Sequence, residues 1–199
     1  ADAYITGSDQ VWAGLSPERY LTFVPKGIRT ISYAASFGSP KMGLLNKLLF
    51  TWRLRNIDYI SVREKAGVDY CKIFGRNDAV CVCDPSLLLE KIDYEKYLCN
   101  ERVMKRPYIF SYWVNPIQSL ENISWKEVTG YAKRANLELI VTAIQGAEFS
   151  FEKESITSPE PLEWLQLIHD AKYIITSSFH GIAFSICLLY TSDAADELD

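Results

Sequence analysis

The sequence predicts an α/β protein built of parallel β-sheets with crossover helices and divided into two domains. Short β-branched apolar runs alternate along the chain with segments of helical periodicity, which is the order that parallel strands and crossover helices require. The predicted strands stop at Gly, Ser, Asp, Arg or His residues, so polar groups collect at their carboxyl ends. A charged, Tyr-rich stretch without clear period, residues 89–106, separates the two parts.

The first part contains four apolar runs that predict strands, namely Ala3–Thr6, Arg29–Ala35, Asp58–Val62 and Ala79–Cys83. A shorter apolar piece, Tyr20–Val24, is closed by Pro25. Ser39 and Pro40 have the character of an N-cap and a first-turn proline. They predict a helix with an apolar stripe of Leu44, Leu45, Leu48, Leu49, Trp52 and Leu54. A second helix of about ten residues is expected to end at Gly75, the residue type that favours helix termination.

The second part repeats the alternation. Strands are predicted at Pro107–Trp113, Leu137–Ala143 and Tyr173–Thr176, and helices near Trp125–Ala135 and at Pro161–Asp170. After the last strand, a turn leads into an apolar segment that begins at Ile182 and is typical of a buried helix. In such folds the ligand lies beyond the carboxyl ends of the strands.

We assign residues 1–88 to the C-terminal part of a first domain, 89–106 to an inter-domain linker, and 107–186 to an incomplete second domain. The segment 187–199 reads like a translated transposase sequencing adapter, so we expect it to be a non-native tail. The chain is accordingly expected to be an internal fragment of a longer protein, inactive by itself.

Composition excludes several classes of function. The 199 residues carry a net charge of −4 without a Lys/Arg cluster, which argues against nucleic-acid binding. No apolar run reaches the roughly 18 residues of a transmembrane helix. Five cysteines lack zinc-ligand spacing, so we expect reduced, buried thiols in a cytoplasmic protein and no metal site. Three tryptophans and a tyrosine are interpreted as core or domain-interface residues: Trp12, Trp52, Trp113 and Tyr33.

The strand-to-helix turn at residues 177–181 is the strongest candidate site. It contains two hydroxyls, an imidazole and a glycine at a helix start, where unpaired N–H groups and the helix dipole attract anions. His180 is therefore a candidate to hold or protonate a phosphorylated or carboxylated substrate. The alternative is a structural histidine packed under the turn. His169, late in a helix beside Asp170, is interpreted as a solvent-facing or capping residue.

Polar residues also follow the first, third and fourth predicted strands, at the carboxyl ends where ligands of such folds lie. Arg63 and Glu64 follow an apolar strand, and arginine can grip a carboxylate or phosphate with two nitrogens. They could instead form a surface ion pair. Asp9 could be a helix N-cap, and Asp84 could mark a strand-ending turn. The turn at residues 7–9 lacks the further glycines of a dinucleotide fingerprint.

Five segments, in this order, resemble the polysaccharide pyruvyl transferase family, and the similarity spans residues 2–186. They are Tyr4–Trp12, Ile31–Gly38, Ile60–Lys65, Cys83–Leu89 and Ile175–Gly181. The resemblance implies two Rossmann-like domains facing a cleft, as in GT-B glycosyltransferases. It implies phosphoenolpyruvate as donor, a sugar diol of a bacterial cell-surface polysaccharide as acceptor, and a cyclic pyruvate ketal as product. It places the enzyme in the cytoplasm, including the inner face of the membrane.

The resemblance also implies roles for individual residues. His180 and the N–H groups around Gly181 would bind the donor, with His180 as general acid, and Arg63 would supply fixed positive charge. Asp9 and Glu64 would bind hydroxyls or remove their protons. Four further residues are assigned to substrate binding: Ser8, Asp84, Ser177 and Ser178. Ser178 stands where members often carry an arginine.

No metal or cofactor is required by this chemistry, because phosphoenolpyruvate enters as a substrate. A glycan or lipid-linked sugar is the expected acceptor. Two other functions fit the same fold and are kept as alternatives. One is a nucleotide-sugar glycosyltransferase that places a diphosphate at the same helix start. The other is a non-catalytic domain of a glycan-assembly complex.

Overall fold

Every strand pair of the protein is parallel in the computed structural model, which describes residues 1–38, 43–99, 101–114, 125–143 and 157–189. The chain divides into two units, Ala1–Leu88 and Leu89–Asp199. Each unit carries its own sheet. The predicted α/β class with parallel sheets is therefore confirmed.

The first unit has a four-stranded sheet in the order β1-β2-β3-β4, formed by Ala3–Thr6, Arg29–Ala35, Tyr59–Val62 and Val80–Cys81. Helix α1 (Leu44–Leu54) connects β2 to β3, and α2 (Lys65–Ile73) connects β3 to β4. The connection from β1 to β2 carries the 3₁₀ helix Pro17–Tyr20 instead of an α-helix. Because these strands pair in parallel, all four carboxyl ends lie at one edge of the sheet.

Aromatic side chains form much of the first core. Trp12 is fully buried, stacks on Tyr20 with ring centroids 5.7 Å apart, and donates a hydrogen bond from Nε1 to the Arg19 carbonyl at 3.2 Å. The ring centroid of Phe37 lies 5.1 Å from that of Trp12 and 5.6 Å from that of Phe50. The prediction of Trp12 as a core residue is confirmed.

Most of the predicted apolar stripe of α1 does not face the core. Phe50 and Leu54 are buried, whereas Trp52 is 58% exposed. The leucines at positions 44, 45 and 48 are exposed as well. Because residues four apart share a helix face, Phe50 and Leu54 together occupy one side of α1. Leu44, Leu45, Leu48 and Trp52 consequently lie on the other side, which faces away from the core, while Leu49 is half-buried.

Two buried serines form hydrogen bonds between the two central strands, near the carboxyl edge of the sheet. The pairing of β2 with β3 shifts register between Ser32 and Ala35. Ser61 donates from Oγ to the Ser32 carbonyl at 2.8 Å, and Ser32 donates from Oγ to the Ser61 carbonyl at 3.1 Å. These bonds satisfy backbone groups that the irregularity would otherwise leave unpaired.

The second unit has a three-stranded sheet in the order β6-β5-β7, formed by Tyr108–Trp113 (β5), Glu138–Ala143 (β6) and Tyr173–Thr176 (β7). Its helices are α3 (Lys91–Glu95), α4 (Trp125–Arg134), α5 (Pro161–Asp170) and α6 (Phe179–Leu189). The prediction of β5 at this position is confirmed, and Trp113 is 1% exposed, as predicted for a core residue.

Residues from both ends of this unit enter its core. Tyr94 of α3, within the segment predicted to be a linker, packs edge-to-face on Phe184 at 5.3 Å. At the other end, α6 continues past Ile186, and Leu188 is 1% exposed in the same hydrophobic cluster. Residues 190–199 of the predicted non-native tail lie outside the described residues.

All five cysteines are free, but only Cys71 is fully buried. Burial raises the pKa of the Cys71 thiol to about 12, so this thiol stays protonated near neutral pH. Cys81, Cys83 and Cys99 are exposed, which corrects the prediction that the thiols are buried. The exposure of Cys81 follows from its place in β4, which pairs only with β3 and forms an edge of the sheet.

Candidate functional site

The carboxyl edge of the first sheet brings one arginine together with three carboxylates. Arg63 follows β3 directly, and its guanidinium reaches Asp9 from the end of β1, the adjacent Glu64, and Asp84 from the end of β4. The distances are 3.3 Å from Nη2 to Asp9 Oδ1, 2.9 Å from Nε to Glu64 Oε1, and 3.3 Å from Nη1 to Asp84 Oδ2. We call these four residues the Arg63 cluster.

Burial divides the Arg63 cluster into an inner and an outer pair. The side chains of Arg63 and Asp84 are 5% and 1% exposed, whereas those of Asp9 and Glu64 are 62% and 43% exposed. The buried guanidinium therefore fixes two carboxylates that solvent or a ligand can reach. The alternative prediction, a surface ion pair of Arg63 and Glu64, does not describe the buried Arg63 side chain.

The charge balance of the cluster limits what it can bind. One guanidinium faces three carboxylates, so the exposed rim is negative. A further anion would be repelled there, whereas hydroxyl groups could donate hydrogen bonds to Asp9 and Glu64. The geometry shows Arg63 holding these carboxylates, and its predicted grip on an anionic donor stays a prediction.

Asp84 and Asp9 have distinct local roles. Asp84 accepts hydrogen bonds from the Ser86 amide at 3.1 Å and the Ser86 hydroxyl at 2.8 Å, which caps a 3₁₀ helix at Pro85–Leu87. Its buried carboxylate also pairs with Arg63, and the predicted contact of Asp84 with substrate stays a prediction. The residues directly after Asp9 form turns, and the next helical segment, Pro17–Tyr20, begins eight residues later, so the N-cap interpretation is wrong. Ser8, half-buried, precedes Asp9 at the same edge.

The predicted turn after β7 places His180 in the first turn of α6. Ser178 caps this helix: the Gly181 amide donates to Ser178 Oγ at 3.2 Å, and the Ile182 amide donates to the Ser178 carbonyl at 3.0 Å. The Gly181 N–H, predicted to bind the donor, is therefore already paired within the protein. Ser177 is exposed, and its Oγ accepts a hydrogen bond from the Val114 amide at 3.2 Å.

Gly181 is required here because the backbone of α6 passes very close to Thr176, at the end of β7. A Cβ atom at position 181 would come within 3.0 Å of Thr176 Cγ2 and closer still to Thr176 Oγ1. Thr176 cannot easily move, since its Oγ1 donates to the Tyr112 carbonyl at 2.8 Å and accepts from the Ser178 amide at 3.0 Å.

We expect Gly181→Ala to lower the free energy of unfolding by about 1–3 kcal/mol, because overpacking must displace Thr176. Urea denaturation followed by circular dichroism measures the effect. Gly130→Ala in α4 is the matched control. There the added methyl meets only the flexible end of Arg134, so alanine should be neutral or stabilise the helix by up to about 1 kcal/mol. Equal effects of the two substitutions would contradict the close-approach argument.

His180 lines a cavity of about 480 Å³ at the carboxyl ends of β5 and β6. The ring is half-buried and therefore accessible. The other lining residues are mainly aromatic, aliphatic or proline: Tyr112, Thr142, Pro159, Pro161, Trp164, Leu165 and Phe184. Trp164 packs edge-to-face on both Tyr112, at 5.1 Å, and Phe184, at 5.5 Å. Among the described lining residues, the ionisable groups are His180 and Tyr112.

Sequence reasoning missed this aromatic wall. Trp164 and Phe184 lie within segments of helical periodicity, where an aromatic residue ordinarily indicates core packing. The sequence did hold one signal: an aromatic residue occurs in each of the two helices that flank β7. That signal does not specify which side of either helix meets the cavity.

His169 belongs to a different location. It lines a cavity of about 660 Å³ near Pro107 and Lys172, which precede β5 and β7, so this cavity lies at the opposite ends of the strands. His169 Nδ1 lies 2.8 Å from Asp170 Oδ1, and Nε2 lies 3.4 Å from Glu95 Oε1. His169 is half-buried between two carboxylates, and its predicted solvent-facing or capping role stays a prediction.

Within the described ranges, no group of three or more His, Cys, Asp or Glu side chains has an arrangement suited to a metal ion. The same part of the chain contains no helix with the length and apolar character needed to cross a bilayer.

Comparison with known proteins gives one match. The family model of polysaccharide pyruvyl transferase matches residues 1–188, a range that includes the Arg63 cluster and the His180 turn. No curated protein and no solved structure matches the chain significantly. The match confirms, over nearly the whole chain, the resemblance seen in the five sequence segments. The family name indicates a transferase of polysaccharide biosynthesis. The chain belongs to the polysaccharide pyruvyl transferase family.

Proposed function

We propose that the protein transfers the pyruvyl group of phosphoenolpyruvate to two hydroxyls of a sugar in a bacterial cell-surface polysaccharide or its lipid-linked precursor. The product is a cyclic pyruvate ketal, and inorganic phosphate is released. The observation that carries this proposal is His180, an accessible imidazole at a helix start beside a cavity, in a chain that matches the pyruvyl transferase family over residues 1–188.

The second unit is assigned the donor. Phosphoenolpyruvate must gain a proton on its methylene carbon, which becomes the methyl group of the ketal and leaves an oxocarbenium-like centre at C2. His180 is assigned as the acid that delivers this proton, because imidazole exchanges protons near neutral pH. The N-terminus of α6 and protonated His180 both favour the negative charge of the donor.

The first unit is assigned the acceptor diol. One sugar hydroxyl attacks C2, the C2–O bond to phosphate breaks, and the second hydroxyl then closes the ring. The two hydroxyls release two protons, which balance the proton added to carbon and the proton taken by the departing phosphate. Asp9 and Glu64 are assigned to bind these hydroxyls and accept protons, because both carboxylates are exposed and held by Arg63.

The test is incubation of the full-length protein with phosphoenolpyruvate and a lipid-linked or free glycan acceptor. We expect phosphate release that depends on the acceptor, together with a new ketal methyl signal in the proton NMR spectrum of the glycan. Turnover with a nucleotide sugar, accompanied by nucleotide release, would instead establish a glycosyltransferase. Absence of both activities in the folded protein, with no binding of phosphoenolpyruvate by calorimetry, would support a non-catalytic domain.

A further inference from the structure

Helix α1 of the first unit is apolar on two opposite sides. Phe50 and Leu54 are 3% and 0% exposed and contribute to the hydrophobic core. Four other apolar side chains of the same helix are at least 58% exposed: Leu44 at 77%, Leu45 at 69%, Leu48 at 60% and Trp52 at 58%. Core packing explains the first side only.

The four exposed side chains form a continuous stripe, which we call the outer face of α1. At about 100° per residue, positions 44, 45, 48 and 52 fall within an arc of about 100°. Phe50 and Leu54 lie on the opposite side of the helix wheel. Scattered exposed apolar residues are ordinary, but a stripe of three leucines and a tryptophan on one helix is typical of an interaction surface.

Charge indicates what covers the outer face. Residues 44–55 contain Lys47, Arg53 and Arg55 but no acidic residue, although the whole chain has a net charge of −4. Lys47 and Arg55 are exposed, and on the helix wheel Arg55 lies within the arc of the outer face. This region therefore combines apolar side chains with exposed positive charge.

We propose that the outer face of α1 binds the surface of a membrane that contains anionic lipids, with the helix parallel to the bilayer plane. Leucine and tryptophan side chains enter the boundary between headgroups and acyl chains, while lysine and arginine remain at the level of the phosphates. The inference concerns attachment to a surface and does not depend on the proposed function.

A second copy of the chain fits this surface less well. If two copies paired through their outer faces, each copy would bring Arg55, which lies within the arc, to an interface to which α1 contributes no acidic residue. Like charges at an interface oppose association. An anionic lipid surface has the complementary charge.

Vesicle co-sedimentation tests the proposal. We expect the chain to bind vesicles of phosphatidylcholine with 30% phosphatidylglycerol (about one anionic lipid in three) far more strongly than vesicles of phosphatidylcholine alone. The double variant Leu45→Ser/Leu48→Ser should lower the partition coefficient by about tenfold or more, because it removes apolar area from the inserted side. Lys47→Ser/Arg55→Ser should remove most of the preference for the anionic vesicles.

The matched control is Ile92→Ser/Leu162→Ser, which removes two similarly exposed apolar side chains, 67% and 54% exposed, from the other unit. This variant should bind as the unmodified chain does. Circular dichroism checks that each variant is folded. Trp52→Phe should abolish a blue shift of fluorescence on adding anionic vesicles.

Two results would overturn the proposal. One is vesicle binding that the leucine and the basic substitutions leave unchanged. The other is absence of vesicle binding together with a concentration-dependent dimer, seen by analytical ultracentrifugation, that Leu45→Ser/Leu48→Ser dissociates; this result would assign the outer face to a second copy.

Discussion

Replacing Arg63 with methionine is expected to lower the free energy of unfolding of the first unit by about 3–5 kcal/mol, as for removal of one partner from a buried ion pair. Asp84, whose side chain is 1% exposed, would keep its bonds to Ser86 but lose the cation that compensates its charge. Asp9 and Glu64 would also lose the group that separates and holds them. Urea denaturation monitored by tryptophan fluorescence measures the effect, since Trp12 lies in the core of this unit.

Three further variants identify the cause. Arg63→Lys keeps a positive charge but cannot reproduce the directed hydrogen bonds to Glu64 and Asp84, so an intermediate loss is expected. Arg63→Met/Asp84→Leu removes both buried charges and should recover part of the stability. Lys72→Met breaks the exposed pair with Asp69 and should cost less than about 1 kcal/mol. If Arg63→Met were no more destabilising than Lys72→Met, the Arg63 cluster would not stabilise this edge of the sheet.

The strand pattern of the chain could be predicted because burial of a parallel sheet requires apolar, β-branched runs. The runs at β1, β2 and β7 begin and end in the structure where the sequence predicts. Helix faces were harder to predict. Helix α1 has apolar residues around most of its circumference, so periodicity alone could not distinguish Phe50 and Leu54 from the outer face. Only the packing of Phe50 against Phe37 and Phe74 decides which side is the core.

The candidate site was predicted in location but not in charge balance. Asp9, Arg63 and Asp84 each follow a predicted parallel strand, and the carboxyl ends of such strands lie at the same edge of a sheet. Their common location could therefore be predicted. The sequence could not show that a single guanidinium contacts all three neighbouring carboxylates, since those contacts join residues up to 54 positions apart, from Asp9 to Arg63. An isolated Arg-Glu dipeptide suggests a free cation; the folded arrangement makes Arg63 a support for two exposed acids.

Replacing His180 with alanine is expected to lower kcat by at least about 100-fold in the full-length enzyme, because it removes the general acid assigned to the donor. The free energy of unfolding should change by less than about 1 kcal/mol, since the ring is half-buried and Ser178, not His180, caps α6. Phosphate release at saturating phosphoenolpyruvate measures the first effect, and urea denaturation measures the second.

The other histidine provides the control that separates catalysis from a general effect of removing an imidazole. His169 lies at the opposite ends of the strands, between Asp170 and Glu95, so His169→Ala should leave kcat unchanged even if it alters stability. Full turnover by His180→Ala would exclude the imidazole as proton donor. Loss of turnover with unfolding of the second unit would instead establish His180 as a structural residue beneath the turn.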